Sequence, residues 1–366
     1  MSLRALSAEA ARFRSPEDMD AMLYYLLRRA VFIPVVLLAL TLMIFSLQMM
    51  LSPVQRLAAY APGPEFLKGG SAQIAALIEK YGLDEPFLVQ YKEWLGNVLS
   101  GNLGWSETAR APVSEALLDL FPATAELVFF AFIPSLLGAI WLGTKAGVHL
   151  NKGIDHAIRI FTIIGWSFPV FVFGLMMLLI FYGTLNWFPP GRLSQWAEVV
   201  VAGDAFTRYT GVNTLDALLN GNMAVFFDAI RHLIAPVITL TYVNLASMTR
   251  VMRTSMLETL RQDYIRTARA KGLPEKVVQN KHGRSNAMLP VVTIAGMELA
   301  YMMGGVVITE TIFDYHGIGR FAADAASNLD FPGVLGFALY FALVLVVINL
   351  VVDLLYPLLD PRVKLA

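Results

Sequence analysis

The densest run of reactive side chains in the sequence is basic: Arg253, Arg261, Arg266, Arg269, Lys271, Lys276, Lys281 and Arg284 all fall within residues 253–286. Such a run either sets the orientation of a membrane protein or docks a partner. Nucleic acid is not the expected partner, because Lys+Arg and Asp+Glu balance at 28 each and the whole molecule offers no field to draw a polyanion. Catalytic patterns are missing. There is no GxxxxGK[ST] phosphate loop, so the chain does not hydrolyse ATP by a familiar route, and there is no H-E-x-x-H. The five histidines, His149, His156, His232, His282 and His316, are scattered over loops and span ends. Cysteine is absent, which excludes disulfides, thiolate metal sites and a Cys nucleophile. No catalytic residue, metal or cofactor is expected in this chain. Isolated carboxylates remain. Glu298 lies within an apolar run and Asp353 at the end of another, where a charge is costly and so a default functional candidate. For Glu298, lining a pathway and pairing between helices stand equal; Asp353 reads as structural. Glu310 either anchors an exterior loop or serves as a gate or subunit contact.

The elements that must position these residues follow from composition. The chain is 57% hydrophobic and only 15% charged, with mean hydropathy +0.59, whereas a soluble domain is about a quarter charged. The bilayer is the expected solvent. A helix needs roughly 20 apolar residues to cross about 30 Å of hydrocarbon. Runs of that kind cover Ala30–Leu51, Ala123–Gly147, Ile160–Leu185, Leu233–Met248, Ala287–Ile308 and Gly333–Val352, the fourth being short. Pro34, Pro134, Pro169 and Pro236 lie inside them and are expected to be tolerated, because neighbouring helices can satisfy the freed backbone groups. The first run is longer than the roughly 7–15 residues of a signal-peptide core, so it reads as a retained span. The fold expected is an all-α polytopic membrane protein with six transmembrane helices.

Orientation follows the positive charges. Arg28 and Arg29, then Lys145, Lys152 and Arg159, then the basic stretch, and finally Arg362 and Lys364 mark the cytoplasmic side, which places both termini inside. Trp94, Trp105, Trp187 and Trp196 fall in or beside exterior loops. The division expected is a cytoplasmic extension over 1–21, a first transmembrane helix over 22–51, an exterior loop over 52–122, a membrane core over 123–356 containing the loop 253–286, and a cytoplasmic tail over 357–366. Within that loop a helix is expected from Met256 to Lys271. Gly272 can end it in the left-handed conformation, and Pro274 suits the first position of the next helix. Glu275 would sit near the positive end of that second helix, and Leu273, Val277 and Val278 would form a small apolar face that wants a protein partner.

Tyr264 to Leu273, with His282 and the run Asn286-Ala287-Met288-Leu289-Pro290, resembles the cytoplasmic coupling signature of binding-protein-dependent ABC importer permeases, in its oligopeptide/dipeptide/nickel version. Ala268 and Gly272 stand at the small positions of that signature, and Arg266 and Thr267 where its general form has Glu and Ala. Leu23 to Arg29, Tyr81-Gly82-Leu83-Asp84-Glu85-Pro86 with Gln90-Tyr91, Gly101-Asn102-Leu103-Gly104, Glu310-Thr311-Ile312-Phe313, Gly317-Ile318-Gly319 and Leu359-Asp360-Pro361-Arg362 resemble the first permease subunit of these systems. Asp314-Tyr315-His316 departs from the more usual Ser-Trp-Pro, which puts exterior loop contacts in question. Gly283 departs after His282, where it is expected to loosen the second helix by up to about 1 kcal/mol.

The resemblance implies an ATPase-coupling set of Arg266, Thr267, Ala268, Arg269, Gly272, Leu273, Glu275, Val278 and His282, with His282 orienting the hairpin. It implies a second permease subunit as heterodimer partner, two cytoplasmic ATPase subunits that bind the ATP and Mg, and an exterior solute-binding protein. The cargo implied is peptides or similar small solutes. Gly296 and Gly304-Gly305 either let helices approach at the interface between the two permeases or are ordinary membrane-helix glycines. A secondary transporter or channel working without an ATPase is the alternative, against which stand the lack of a clear repeat and the isolation of the carboxylates.

Overall fold

In hydrocarbon a chain must satisfy its backbone polar groups internally, and here it does so almost wholly with helices. The computed structural model describes residues 33–57, 60 and 70–359. The extension assigned to 1–21, the Leu23–Arg29 motif, the first turns of the first span and the tail beyond Leu359 lie outside the described residues. Helix α1 spans Ile33–Gln48. The segment that follows holds α2 (Pro53–Leu57), α3 (Gly70–Lys80) and α4 (Phe87–Leu99). It also holds an antiparallel pair, β1 (Trp105–Ser106) and β2 (Ala111–Pro112), a small departure from the all-α expectation. Then come α5 (Val113–Val148), α6 (Gly153–Ser167) and α7 (Val170–Thr184). Short α8 (Gln195–Ala202) and α9 (Asn213–Leu219) precede the longest helix, α10 (Met223–Leu260). The chain continues with α11 (Asp263–Ala270), α12 (Glu275–Met303), α13 (Val307–Ile312), α14 (Ile318–Ser327) and α15 (Phe331–Leu359).

Helices α5, α10, α12 and α15 are each long and apolar enough to cross a bilayer, and α6 with α7 forms a further, bent candidate. The short fourth run is thus the middle of a 38-residue helix, flanked within it by Asp228, Arg231 and His232 on one side and Arg250 and Arg253 on the other. Pro134 and Pro236 stay inside their helices. Pro169 does not: α6 and α7 meet at 97°. The cause is local, because a residue before proline is pushed out of the helical region, and Phe168 is extended at φ −81°, ψ 124°.

The packing centre is the pair α5 and α10. Lipid supplies no hydrophobic drive between helices, so close fit must do the work, and small residues permit it. A Cβ on Gly143 would sit 2.5 Å from Met252 Cβ, and one on Gly147 would sit 2.7 Å from Met256 Cβ. Ala131, Ser135, Ala139 and Ala146 extend this buried stripe along α5. Gly296 and Gly304 serve a different contact from the subunit interface considered above: they receive Val352 and Phe341 of α15 within the same chain.

Replacing Gly143 with Leu is expected to wedge α5 from α10 at a cost of about 1–3 kcal/mol, the range for overpacking. Gly153→Ala, where a Cβ meets nothing within 4 Å, is expected to be neutral. Thermal unfolding of the detergent-solubilised chain measures both.

Candidate functional site

The basic loop folds into a compact hairpin rooted in two membrane helices. Helix α10 ends at Leu260, Arg261 and Gln262 turn the chain, and α11 runs back from Asp263. The single helix expected from Met256 to Lys271 is therefore two. The break lets Ile265 and Ala268 fold onto Leu260 and Val278, a miniature core in which Ile265 and Val278 are fully buried. Gly272 takes φ +75°, the left-handed conformation expected of it, which costs a residue without Cβ least. Pro274 caps α12 from just outside rather than occupying its first position.

The residues expected to form a coupling set divide by what they touch. Arg269 donates to both oxygens of Glu275, Nη2 to Oε1 at 2.8 Å and Nε to Oε2 at 3.1 Å, closing the hairpin across its turn. That bond holds the Arg269 guanidinium above its ordinary range. Arg266 pairs on the surface with Asp263 at 3.3 Å. Thr267, Ala268, Leu273 and His282 line one cleft with Tyr264, Lys271 and Asn286. Leu273 and Val277 are exposed, whereas Val278 is not. The apolar face assigned to Leu273, Val277 and Val278 is accordingly the first two alone, because Val278 turns inward to seal the hairpin.

Val278 to Arg284 is a π-helical turn. Gly283 lies in it, and a Cβ there would meet Met256 Cε at 2.9 Å and Leu260 Cδ2 at 3.2 Å. Rather than loosening the helix, this glycine lets it approach the end of α10.

The hairpin is tied to the rest of the core by a pair the sequence reading missed. Arg253, counted there only as a cytoplasmic marker, donates to Asp155 of α6 through Nε at 2.6 Å and Nη2 at 2.8 Å. Asp155 is fully buried and also accepts from the Asn151 backbone N–H at 3.0 Å. Lone surface charges would gain little from pairing, but a buried bidentate pair fixes geometry.

At the opposite end of α5 sits a second buried cluster. Glu126 accepts from Arg192 Nη2 at 3.0 Å, from Tyr315 Oη at 2.9 Å and from Thr214 through both backbone N–H and hydroxyl at 2.8 Å. Burial pushes the Tyr315 phenol well above its ordinary range, so it remains a proton donor. The departure at Asp314-Tyr315-His316 thus supplies an interior contact of its own. Glu310, fully buried, accepts from Thr124 Oγ1 at 2.8 Å and from the Arg320 backbone N–H at 2.7 Å. Burial raises the Glu310 carboxyl, against those hydrogen bonds. Glu298 is apart from all of these, half-buried on α12 beside the exposed Met297 and Tyr301. Glu126 carried a signal in the sequence, being a carboxylate inside an apolar run; its partners Arg192, in a loop, and Thr214, at the start of α9, lie in a segment whose sequence has no pattern to place them.

Comparison with known proteins agrees with this architecture. Residues 135–365 match the binding-protein-dependent transport system inner membrane component family, and residues 22–128 match the N-terminal part of such membrane components. A probable D,D-dipeptide transport system permease protein of Escherichia coli K12 is 42% identical over 308 residues, 82% of this chain and 89% of the relative. A di/tripeptide transport system permease protein of Pseudomonas aeruginosa is 39% identical over 70% of this chain and 75% of its own. An oligopeptide transport system permease protein of Bacillus subtilis is 36% identical over 94% of this chain and all of its own.

Breaking the buried pair by Arg253→Met is expected to destabilise the protein by about 3–5 kcal/mol, because the Asp155 carboxylate is left buried without its partner. Asp155→Asn in the same chain is expected to restore much of the loss. Thermal melts of the two variants in detergent test this, and equal damage from both would argue against the pair.

Proposed function

The chain belongs to the binding-protein-dependent transport system inner membrane components, and from that premise we propose that α11 and the start of α12 form the element through which cytoplasmic ATPases drive it. The protein is a multi-pass permease subunit of an ATP-driven importer in the inner membrane. The observation that carries the reading is the hairpin itself. It has its own core of Ile265, Ala268 and Val278, an ion pair across its turn, and exposed Leu273 and Val277 at its tip. A rigid short element rooted in two long helices can transmit a displacement where a flexible loop would absorb it.

The partners in this reading are a second permease subunit, two ATPase subunits that hold ATP and Mg, and an exterior solute-binding protein. Six spans with both termini cytoplasmic place the hairpin on the ATPase side. Peptides are the proposed cargo, supported by the relatives' names. The pathway runs along the face of α12 that carries Thr293, Met297 and Tyr301, exposed in the single chain, with Glu298 beside it and the second permease opposite. Glu310 acts as an exterior anchor close to the gate, in keeping with its bonds to Thr124 and Arg320.

The test is binding-protein-stimulated ATPase activity in proteoliposomes of the assembled importer. Gly272→Pro imposes φ near −65° where the chain needs +75°. It is expected to abolish stimulation while the subunits still insert and assemble. Leu273→Asp with Val277→Asp, at exposed positions that folding does not require, is expected to do the same by repelling the ATPase. Stimulation retained in both would sink the coupling assignment.

A further inference from the structure

On the hairpin side of the membrane, the last turns of α5 and the π-turn of α12 enclose a cleft of about 390 Å³ that the docking surface does not use. Its apolar wall is Leu137, Ile140 and Val148, and its rim carries Lys145, His149 and Arg284, with no Asp or Glu in the lining. Lys145 Nζ lies 4.0 Å from the centroid of the Trp141 ring, which parks an ammonium on an aromatic face. His149 Nδ1 lies 2.9 Å from the Lys145 carbonyl oxygen. Among the described residues neither Lys145 nor Arg284 has an acidic partner, in contrast to Arg253 and Arg269 nearby in the sequence, whose carboxylates hold them. Gln279, also on the lining, donates to Glu275, which Arg269 already engages. Two cations therefore face a cleft that contains no counter-charge.

An anion is what such a cleft takes, and its surroundings indicate the kind. Leu137 and Trp141 are 62% and 57% exposed on the membrane-crossing part of α5, so the apolar wall runs on from the cleft along the lipid-facing surface. Basic pockets between membrane helices at the cytoplasmic boundary suit acidic headgroups. We propose that this cleft seats the phosphate of an anionic phospholipid between Lys145 and Arg284, with its acyl chains against Leu137 and Ile140. The headgroup then bridges α5 to Gln279 and Asn280 at the base of the hairpin. Assignment to the cytoplasmic leaflet rests on the orientation proposed above; the binding site does not.

The full chain is reconstituted in nanodiscs of phosphatidylcholine containing a minor fraction of phosphatidylglycerol, and the lipid it retains after extraction is quantified by native mass spectrometry. The wild type is expected to retain phosphatidylglycerol selectively. Lys145→Gln with Arg284→Gln is expected to lower that retention on the order of tenfold or more, the worth of two interfacial cations. Lys152→Gln with Arg261→Gln removes the same charge outside the cleft and is expected to leave retention unchanged. Equal loss from both pairs would reduce the effect to generic surface attraction and overturn the site, as would undiminished retention in the first. Inorganic phosphate added to the lipid-loaded chain distinguishes the source: retention of phosphatidylglycerol against it supports a lipid, whereas full displacement overturns the lipid assignment in favour of a soluble phosphate. Because none of these readouts involves an ATPase, failure here is distinguishable from failure of the coupling reading.

Discussion

Helices α5 and α10 approach until glycines of one take the side chains of the other, with Gly143 against Met252 and Gly147 against Met256. The remaining structure is arranged around that contact. In hydrocarbon a charge is tolerated only where it is paired and buried in protein or lies near an interface, and two clusters of buried charge lie at the two ends of this helix pair. Asp155 and Arg253 lock the hairpin end, while Glu126, Arg192, Tyr315 and Thr214 lock the other. The middle is left to close packing of small and sulfur-containing side chains, which carries no desolvation penalty.

This layout suits a subunit that moves as a body. A hairpin with a private core resists bending, and the bidentate pair to α6 extends its rigidity beyond α10. At the far end, Glu126 collects donors from two separate segments that connect the long helices. Thr124, Glu310 and Ile318 join α5 to α13 and α14, with the Ile318 backbone N–H donating to Thr124 Oγ1 at 2.9 Å. A displacement applied at the hairpin therefore meets a continuous set of packed and hydrogen-bonded groups rather than a loose joint. Neither cluster includes Glu298, which leaves the half-buried acid of α12 outside the structural framework.

Much of this was legible in the sequence where the cause was local. The turn at Gly272 and the apolar runs that lie in α5, α10, α12 and α15 depend on nearest neighbours and composition. The break after Leu260 was not, because Met256 to Lys271 contains no Gly or Pro to mark it and the chain turns there to bring Ile265 onto Val278. The bend at Pro169 was underestimated: tolerance of a buried proline depends on neighbours, while the restriction on Phe168 does not. Arg253 was recognised as a cation but not as a partner, since Asp155 lies far away in sequence. Helix propensity marks Gly283 as a weakness because it ignores what lies across the contact. Glu126 was overlooked inside a run drawn for its apolarity, although its charge alone singled it out.

The π-turn from Val278 to Arg284 sets an angular phase. Its hydrogen bonds skip one residue more than an α-turn does, so the chain gains a residue without gaining a turn. Each residue of an α-helix advances the face by about 100°. The azimuth at which α12 presents Thr293, Met297 and Tyr301 is therefore fixed relative to the hairpin by the length of this one segment. A chain shortened there by a single residue would keep every other side chain and every span, yet turn a different stripe of α12 toward whatever lies opposite.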